Sequence, residues 1–279
     1  MTSKTTLAST VSFLGVGLHT GKRSRITIFP QAEGGVRFRQ KNVDIPATLP
    51  FLTSATFGMK LSHQGESVLV VEHLLSALHA LRISEALIEI DGPEVPILDG
   101  SSKPFLDSFL SAGIIEVEGE ANEIGVNELV SVSEGDASLT AIPGDNFEVY
   151  FRVDFDHPMV GEQHWHGIPL GTTYIHEIAG ARTFGFERDR DLFKRAGLGI
   201  GVGMDNTVIY TENGLFEGQQ LRFTDEAVRH KVLDIVGDLF LLGAFPRFKL
   251  IAVKSGHRHN ARLVGKILDG LGVPNRWAI

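Results

Sequence analysis

A histidine and two aspartates recur at four-residue intervals near the end of this chain. From Asp225 to Leu242 the sequence DEAVRHKVLDIVGDLFLL spaces its apolar residues three and four apart, which predicts one long helix. At about 100° per residue, Val228, Val232, Ile235, Val236, Leu239 and Leu242 form a core stripe, with His230, Asp234 and Asp238 opposite. A His and an Asp one turn apart can direct an imidazole nitrogen and a carboxylate oxygen at a common metal ion. The same pair is equally at home as a solvated ion pair on an exposed helix face, so it needs partners before it means chemistry.

Partners stand elsewhere in the chain. VEHLL opens another apolar-periodic stretch and puts Glu72 beside His73. A catalytic zinc needs three protein ligands, an open position for water and a carboxylate base close by. One His, one Glu and the His/Asp pair meet that inventory. The plainer alternatives are a core histidine for His73 and an acid complementing a helix dipole for Glu72. In KSGHRHN, His257 directly follows a glycine at the end of an apolar strand, where a loop can present it. His63, His157, His164, His166, His176 and His259 are expected at the surface.

Composition limits the alternatives. At 279 residues the chain has room for about 1.9 average domains. Apolar residues make up 43% and charged residues 22%, as in a globular protein with a substantial core. The net charge of −8 argues against nucleic acid as a partner. With no cysteine, thiolate metal sites, disulfides and cysteine nucleophiles are excluded, and any metal must sit on His, Asp or Glu. No run approaches the roughly 18 apolar residues of a membrane span. The first residues read as a strand rather than a signal peptide, so a soluble, cytoplasmic protein is expected.

These residues must be held by a mixture of sheet and helix. TVSFLG, RITIF, GVRFRQ and EALIEI predict short strands, with a helix over VVEHLLSALHALRI and another from Pro104 to Gly113. In the first helix Val71, Leu74, Leu75 and Leu78 make a buried stripe, leaving Glu72, Ser76 and His79 on another face. The acidic segment EVEGEANEIGVNE marks a boundary, giving residues 1–121 and 122–279 as two α+β domains that layer sheets against helices. NFEVYFRVDF alternates as a half-buried strand, FKLIAVK forms another, and a final helix covers ARLVGKILDGLG. The halves could be two copies of one plan, although no sequence identity between them establishes a repeat.

Seven ordered blocks carry a resemblance: GVGLHTG (15–21), VEHLLSALHAL (71–81), PEVPILDGSSKPF (93–105), DFDHP (154–158), ARTFGF (181–186), RHKVLDIVGDLFLLG (229–243) and KSGH (254–257). Together they resemble the UDP-3-O-acyl-N-acetylglucosamine deacetylases of lipid A biosynthesis. The resemblance implies two domains with a zinc site in the cleft between them, Fe2+ being the alternative ion. It implies His73, His230 and Asp234 as metal ligands, Glu72 as general base, His257 as the charged acid, Asp238 as the group holding the His257 ring, and Thr183 as an oxyanion hydroxyl. Such a set suits amide hydrolysis, which needs a polarised carbonyl, an activated water and a proton for the leaving amine.

The substrate implied is a UDP-linked acylated amino sugar. Lys231, Phe184, Phe155 and Asp154 are candidates for the sugar, diphosphate and uridine, Phe155 having the core face of its strand as its plainer reading. The family places an acyl-chain insert near 186–210, where Leu192, Phe193, Leu198, Ile200, Val202 and Met204 can line a passage. GVGLHTG lacks the Gly-Lys-Ser/Thr ending of a phosphate loop and reads as a strand and turn that brings His19 near the site. Two positions depart from the family pattern: Ala137 stands where a basic residue is usual, and His259 replaces a leucine. A monomer is expected, with membrane-surface proximity left open. The competing readings are a non-haem iron oxygenase, disfavoured because Asp234 lies four residues from its His on a helix, and a non-catalytic metal-containing sugar-nucleotide or lipid-binding protein.

Overall fold

The computed structural model describes residues 2–272. Met1 and residues 273–279, the outer ends of the two expected domains, lie outside the described residues. The first half builds a five-stranded sheet in the order Val11–Val16, Arg23–Pro30, Ala86–Asp91, Val36–Gln40, Val43–Pro46. All neighbours are antiparallel except Val36–Gln40 against Ala86–Asp91. The alternation anticipated in these segments puts Ile26, Ile28, Phe38, Ile45 and Ile88 on the fully buried face. Helices α1 (Glu72–Ala80) and α2 (Lys103–Ala112) cover it, the latter ending at Gly113 as its punctuation predicts. A hairpin-built sheet of Leu52–Ser54, Lys60–His63 and Glu66–Leu69 precedes α1.

Ser3–Leu7 pairs with Ile114–Glu120, and only three residues later Glu123–Gly125 joins the second sheet beside Phe245–Val253. That sheet runs Val130–Glu134, Ala137–Pro143, Phe245–Val253, Glu148–Phe155, Gly161–Gly167. Its central late strand is antiparallel to one neighbour and parallel to the other, as in the first half. Each half is therefore two hairpins, a helix, a strand inserted between the hairpins, and a closing helix. Sequence alone could not establish this, because topology is kept by burial pattern and turns rather than by residue identity.

The connection between the second pair of hairpin strands and the helix that follows is long. It holds α3 (Gly171–Thr173), a π-turn over Tyr174–Ile178, a two-stranded parallel ladder of Phe184–Phe186 with Val208–Tyr210, and α4 (Arg190–Arg195). Helices α5 (Glu226–Asp238) and α6 (His257–Gly270) complete the second half. The long helix expected to reach Leu242 stays α-helical only to Asp238, then tightens into a 3₁₀ turn that ends at Gly243 with φ +67°. The last helix begins earlier than its apolar pattern, so His257 is its first residue rather than a loop residue.

The equivalent helices α1 and α5 pack on one another and join the two halves in a continuous apolar core. Their approach is so close that a Cβ at position 237 would sit 2.1 Å from the Glu72 carbonyl oxygen, and Gly237 is required there. This contact covers the second face of each helix: all nine residues of α1 are buried, Glu72, Ser76 and His79 among them. His230, Asp234 and Asp238 are likewise buried, which sets aside the alternative of a solvated ion pair on an exposed face of α5. His157 is also only 7% exposed, its Nε2 against the Thr211 carbonyl, not at the surface as expected. Among the described residues no helix is long and apolar enough to cross a membrane.

Candidate active site

Because α1 and α5 cross face to face, the residues each helix contributes meet. Asp234 Oδ1 lies 3.4 Å from His230 Nε2 and 3.8 Å from His73 Nε2, and the three donor atoms lie within 4.8 Å of one another. Donors about 2.0–2.2 Å from a shared tetrahedral ion are separated by roughly 3.4 Å, so the spacing suits a metal. The protonation states suit one as well. Burial, reinforced by the His230 ring, pushes His73 down to about 3, and burial also lowers His230, which keeps both imidazoles neutral with a lone pair to offer. Nδ1 of His230 is 3.1 Å from the Ala181 carbonyl and donates to it, leaving Nε2 as the acceptor that faces Asp234. Burial works against the Asp234 charge but is outweighed by His230, Lys231, His257 and His73, which hold the carboxyl far below its usual range. These three residues form a group able to hold a metal ion.

Glu72 and His257 face each other beside this group, with His257 Nε2 3.8 Å from Glu72 Oε1 and 4.0 Å from Asp234 Oδ2. Glu72 Oε2 accepts the Met59 N–H at 2.9 Å. Gly58, at φ +137°, lets that backbone come in, since a Cβ there would lie 2.8 Å from Glu72 Oε1. Val70, two residues before Glu72, holds φ +55°, a strained value for a β-branched residue. Burial raises Glu72 to about 7, with Asp238 and Asp234 adding to the effect against His257. For His257, burial opposes the charge, yet Asp238, Asp234 and Glu72 outweigh it and lift the imidazole to about 10. Asp238 Oδ2 accepts from His257 Nδ1 at 2.8 Å and from Asn260 Nδ2 at 2.7 Å. At neutral pH the pair is a carboxyl near its midpoint and a charged imidazolium, which are the protonation states of a base and an acid.

A cavity of about 920 Å³ opens over these groups. Of the residues expected in the site it is lined by His19, Glu72, His73, Thr183, Phe184, Ile200, Met204, His230, Lys231, Asp234 and His257. Thr183 is fixed through its backbone, whose N–H donates to Gly100 and whose carbonyl accepts from Val208. Lys231 Nζ reaches Asp234 Oδ2 at 2.6 Å and lies 5.7 Å from the centre of the Phe184 ring. The far wall is apolar, with Phe57, Phe193, Leu198 and Val202 beside Ile200 and Met204. Four expected residues are not among the lining. Asp238 is fully buried behind His257, Phe155 packs edge-on behind Phe184 at 5.5 Å, Asp154 pairs with Lys254 at 2.9 Å, and Leu192 is exposed on α4.

The model of the UDP-3-O-acyl N-acetylglycosamine deacetylase family matches residues 4–269. The chain belongs to this family. A relative from Anaeromyxobacter dehalogenans (strain 2CP-C), named UDP-3-O-acyl-N-acetylglucosamine deacetylase, is 38% identical over 267 residues, 94% of this chain and 86% of its own. One of the same name from Xanthomonas oryzae pv. oryzae (strain PXO99A) is 38% identical over 275 residues, 96% of this chain and 91% of its own.

Sequence reasoning about this deacetylase-family chain missed several residues that build the site. Asn260 closes the segment KSGHRHN with no role in the local pattern, although its place three residues after His257 on a helix puts the two on one face. Glu94 is fully buried and accepts from His19 N, Thr20 N and Thr20 Oγ1 at 2.8, 2.8 and 2.7 Å, so it shapes the GVGLHTG turn that carries His19. His19 itself points Nε2 at the Phe57 carbonyl, 2.6 Å away. Nothing in the local pattern of PEVP announces that role.

Proposed function

We propose that this protein hydrolyses the N-acetyl group of UDP-3-O-acyl-N-acetylglucosamine, giving acetate and the free amine, the committed step of lipid A biosynthesis. The observation that carries the reading is the facing pair Glu72, partly ionised at neutral pH, and His257, protonated there, set beside His73, His230 and Asp234 at the floor of a cavity with an apolar wall. We take zinc as the ion, Fe2+ being the alternative for the same N/N/O donors. When bound, it supplies Lewis-acid polarisation of the acetamide carbonyl and acidifies a water.

The protein's own groups do the rest. Glu72 accepts a proton from the attacking water at a carboxylate oxygen as the water oxygen adds to the acetamide carbon. His257 Nε2, charged at neutral pH, donates to the developing oxyanion, and Thr183 Oγ1 is suited to share that donation. The C–N bond then breaks as the amine nitrogen takes a proton from His257, the product acid releases its own proton to solvent to leave as acetate, and the proton held on Glu72 passes to His257 to restore both groups. Asp238 keeps the imidazole oriented and charged through Nδ1, and Asn260 keeps Asp238 in place. Lys231, Phe184 and His19 line the sugar side of the cavity, and Ile200 and Met204 the acyl passage. Asp154, paired with Lys254, Phe155, packed on Phe184, and the exposed Leu192 remain candidates for contact with the outer parts of the substrate.

We also take residues 1–121 and 122–279 as two domains, a division supported by the change of sheet partner between Glu120 and Glu123. A monomer acting in the cytoplasm fits a nucleotide-sugar substrate. The test is incubation with the UDP-3-O-acyl-N-acetylglucosamine substrate, reading acetate and free amine together. Binding without release of either product would leave a sugar-nucleotide carrier as the correct reading.

A further inference from the structure

A buried ion pair next to the site has no part in the chemistry above. Glu226, the first residue of α5 and 1% exposed, accepts four hydrogen bonds: from Arg182 N at 3.0 Å, Arg182 Nε at 2.8 Å, Arg182 Nη2 at 3.2 Å and Arg222 N at 2.7 Å. Arg182 is 8% exposed and extends its guanidinium to the Gln220 carbonyl as well. A carboxylate and a guanidinium removed from water in this way demand full hydrogen bonding, which they have.

What matters is which backbone group Glu226 holds. The Arg182 N–H and the Ala181 carbonyl belong to the same planar peptide unit. Its N–H is bound by Glu226, and its carbonyl oxygen accepts from His230 Nδ1 at 3.1 Å. Glu226 and His230 stand one turn apart on α5, so a single rigid plane is clamped at both ends by the same helix. The next residue along is Thr183, whose side chain reaches the cavity.

We propose that Glu226 and Arg182 are positioning residues: together they fix the 181–182 peptide plane, which fixes the tautomer and ring orientation of His230 and so the affinity of the metal group. The inference rests on the metal reading of His73, His230 and Asp234. Loss of a group that orients a metal-binding histidine typically weakens metal affinity by about 10- to 100-fold. A charge-free version of the pair removes the complication of an unpaired buried charge, since neither partner is then left ionised.

The experiment measures the Zn2+ dissociation constant by competition with a chelating dye, together with thermal midpoints. The proteins are the wild type, Glu226→Leu, which has no acceptor for the Arg182 N–H, the double variant Arg182→Met/Glu226→Leu, and Leu139→Ala, which opens a cavity in the second sheet away from the site. Both Glu226 variants should bind Zn2+ about 10- to 100-fold more weakly, while Leu139→Ala, at a comparable loss of midpoint, binds as the wild type does. Wild-type affinity in the folded double variant overturns the proposal, and so does an equal loss in Leu139→Ala, which would make the effect general destabilisation. If the wild type itself holds no Zn2+, the metal reading fails and takes this inference with it, an outcome separable from the other two.

Discussion

Asp238→Asn should move the alkaline limb of the pH–rate profile toward acid while leaving the site's shape intact. Asn is nearly isosteric, and its carbonyl oxygen can still accept from both His257 Nδ1 and Asn260 Nδ2, which now share Oδ2 at 2.8 and 2.7 Å. What is lost is the negative charge beside an imidazole that is held up to about 10, against its own burial, by Asp238, Asp234 and Glu72. An opposite charge at such range accounts for about 1–3 pK units, so the limb should fall to roughly 7–9. At pH 9 the protonated fraction then drops from about 0.9 to between about 0.5 and 0.01, a loss in kcat/KM of about 2- to 90-fold, whereas at pH 7 the same shift costs at most about twofold. Wild type and variant are to be compared between pH 6 and 10.5 at equal metal loading, with kcat/KM as the readout. An alkaline limb that stays where it is in Asp238→Asn would show that His257 is not the group titrating there, and its assignment as the acid would fall.

Glu72→Gln should retain the metal and substrate affinity but lose about 10²- to 10⁴-fold in kcat, measured by acetate release; full activity would reduce Glu72 to a first-turn residue of α1. His230→Ala should lose most of its bound ion by elemental analysis, and chelator treatment of the wild type should abolish turnover until Zn2+ is restored. His79, buried and pushed down to about 4 chiefly by burial, stays neutral when folded. Its contribution is therefore present above the unfolded value near 6.5 and lost as pH falls toward 4. Urea unfolding of His79→Gln at pH 7 and 5 should show a shallower acid loss, by up to about 1.4 kcal/mol per pH unit, and an unchanged slope would contradict this. Gly237→Ala must separate α1 from α5 at a 2.1 Å backbone approach, and destabilisation of at least about 2–3 kcal/mol is expected in denaturant melts.

The sequence by itself determined the candidate carriers of the chemistry, and the family resemblance supplied the roles they imply. The four-residue spacing of His230 and Asp234, the Glu72–His73 pair and the Gly before His257 were readable because ligands of one ion share a helix face and reactive groups gather where elements begin and end. Strand alternation from Phe147 to Val153 was readable for a similar reason, since burial on one sheet face has a period of two. The tertiary structure alone decided what covers each face. Periodicity distinguished two sides of α1 and of α5 but could not say that the second side of each is covered by the other helix, with Ser76 donating to Leu233 and His79 to Val236 across 157 residues of chain. The same limit hid Glu226, Arg182, Glu94 and Asn260. Local pattern records that a side chain is buried, because desolvation acts on each residue alone; which partner satisfies it is fixed only when distant segments meet.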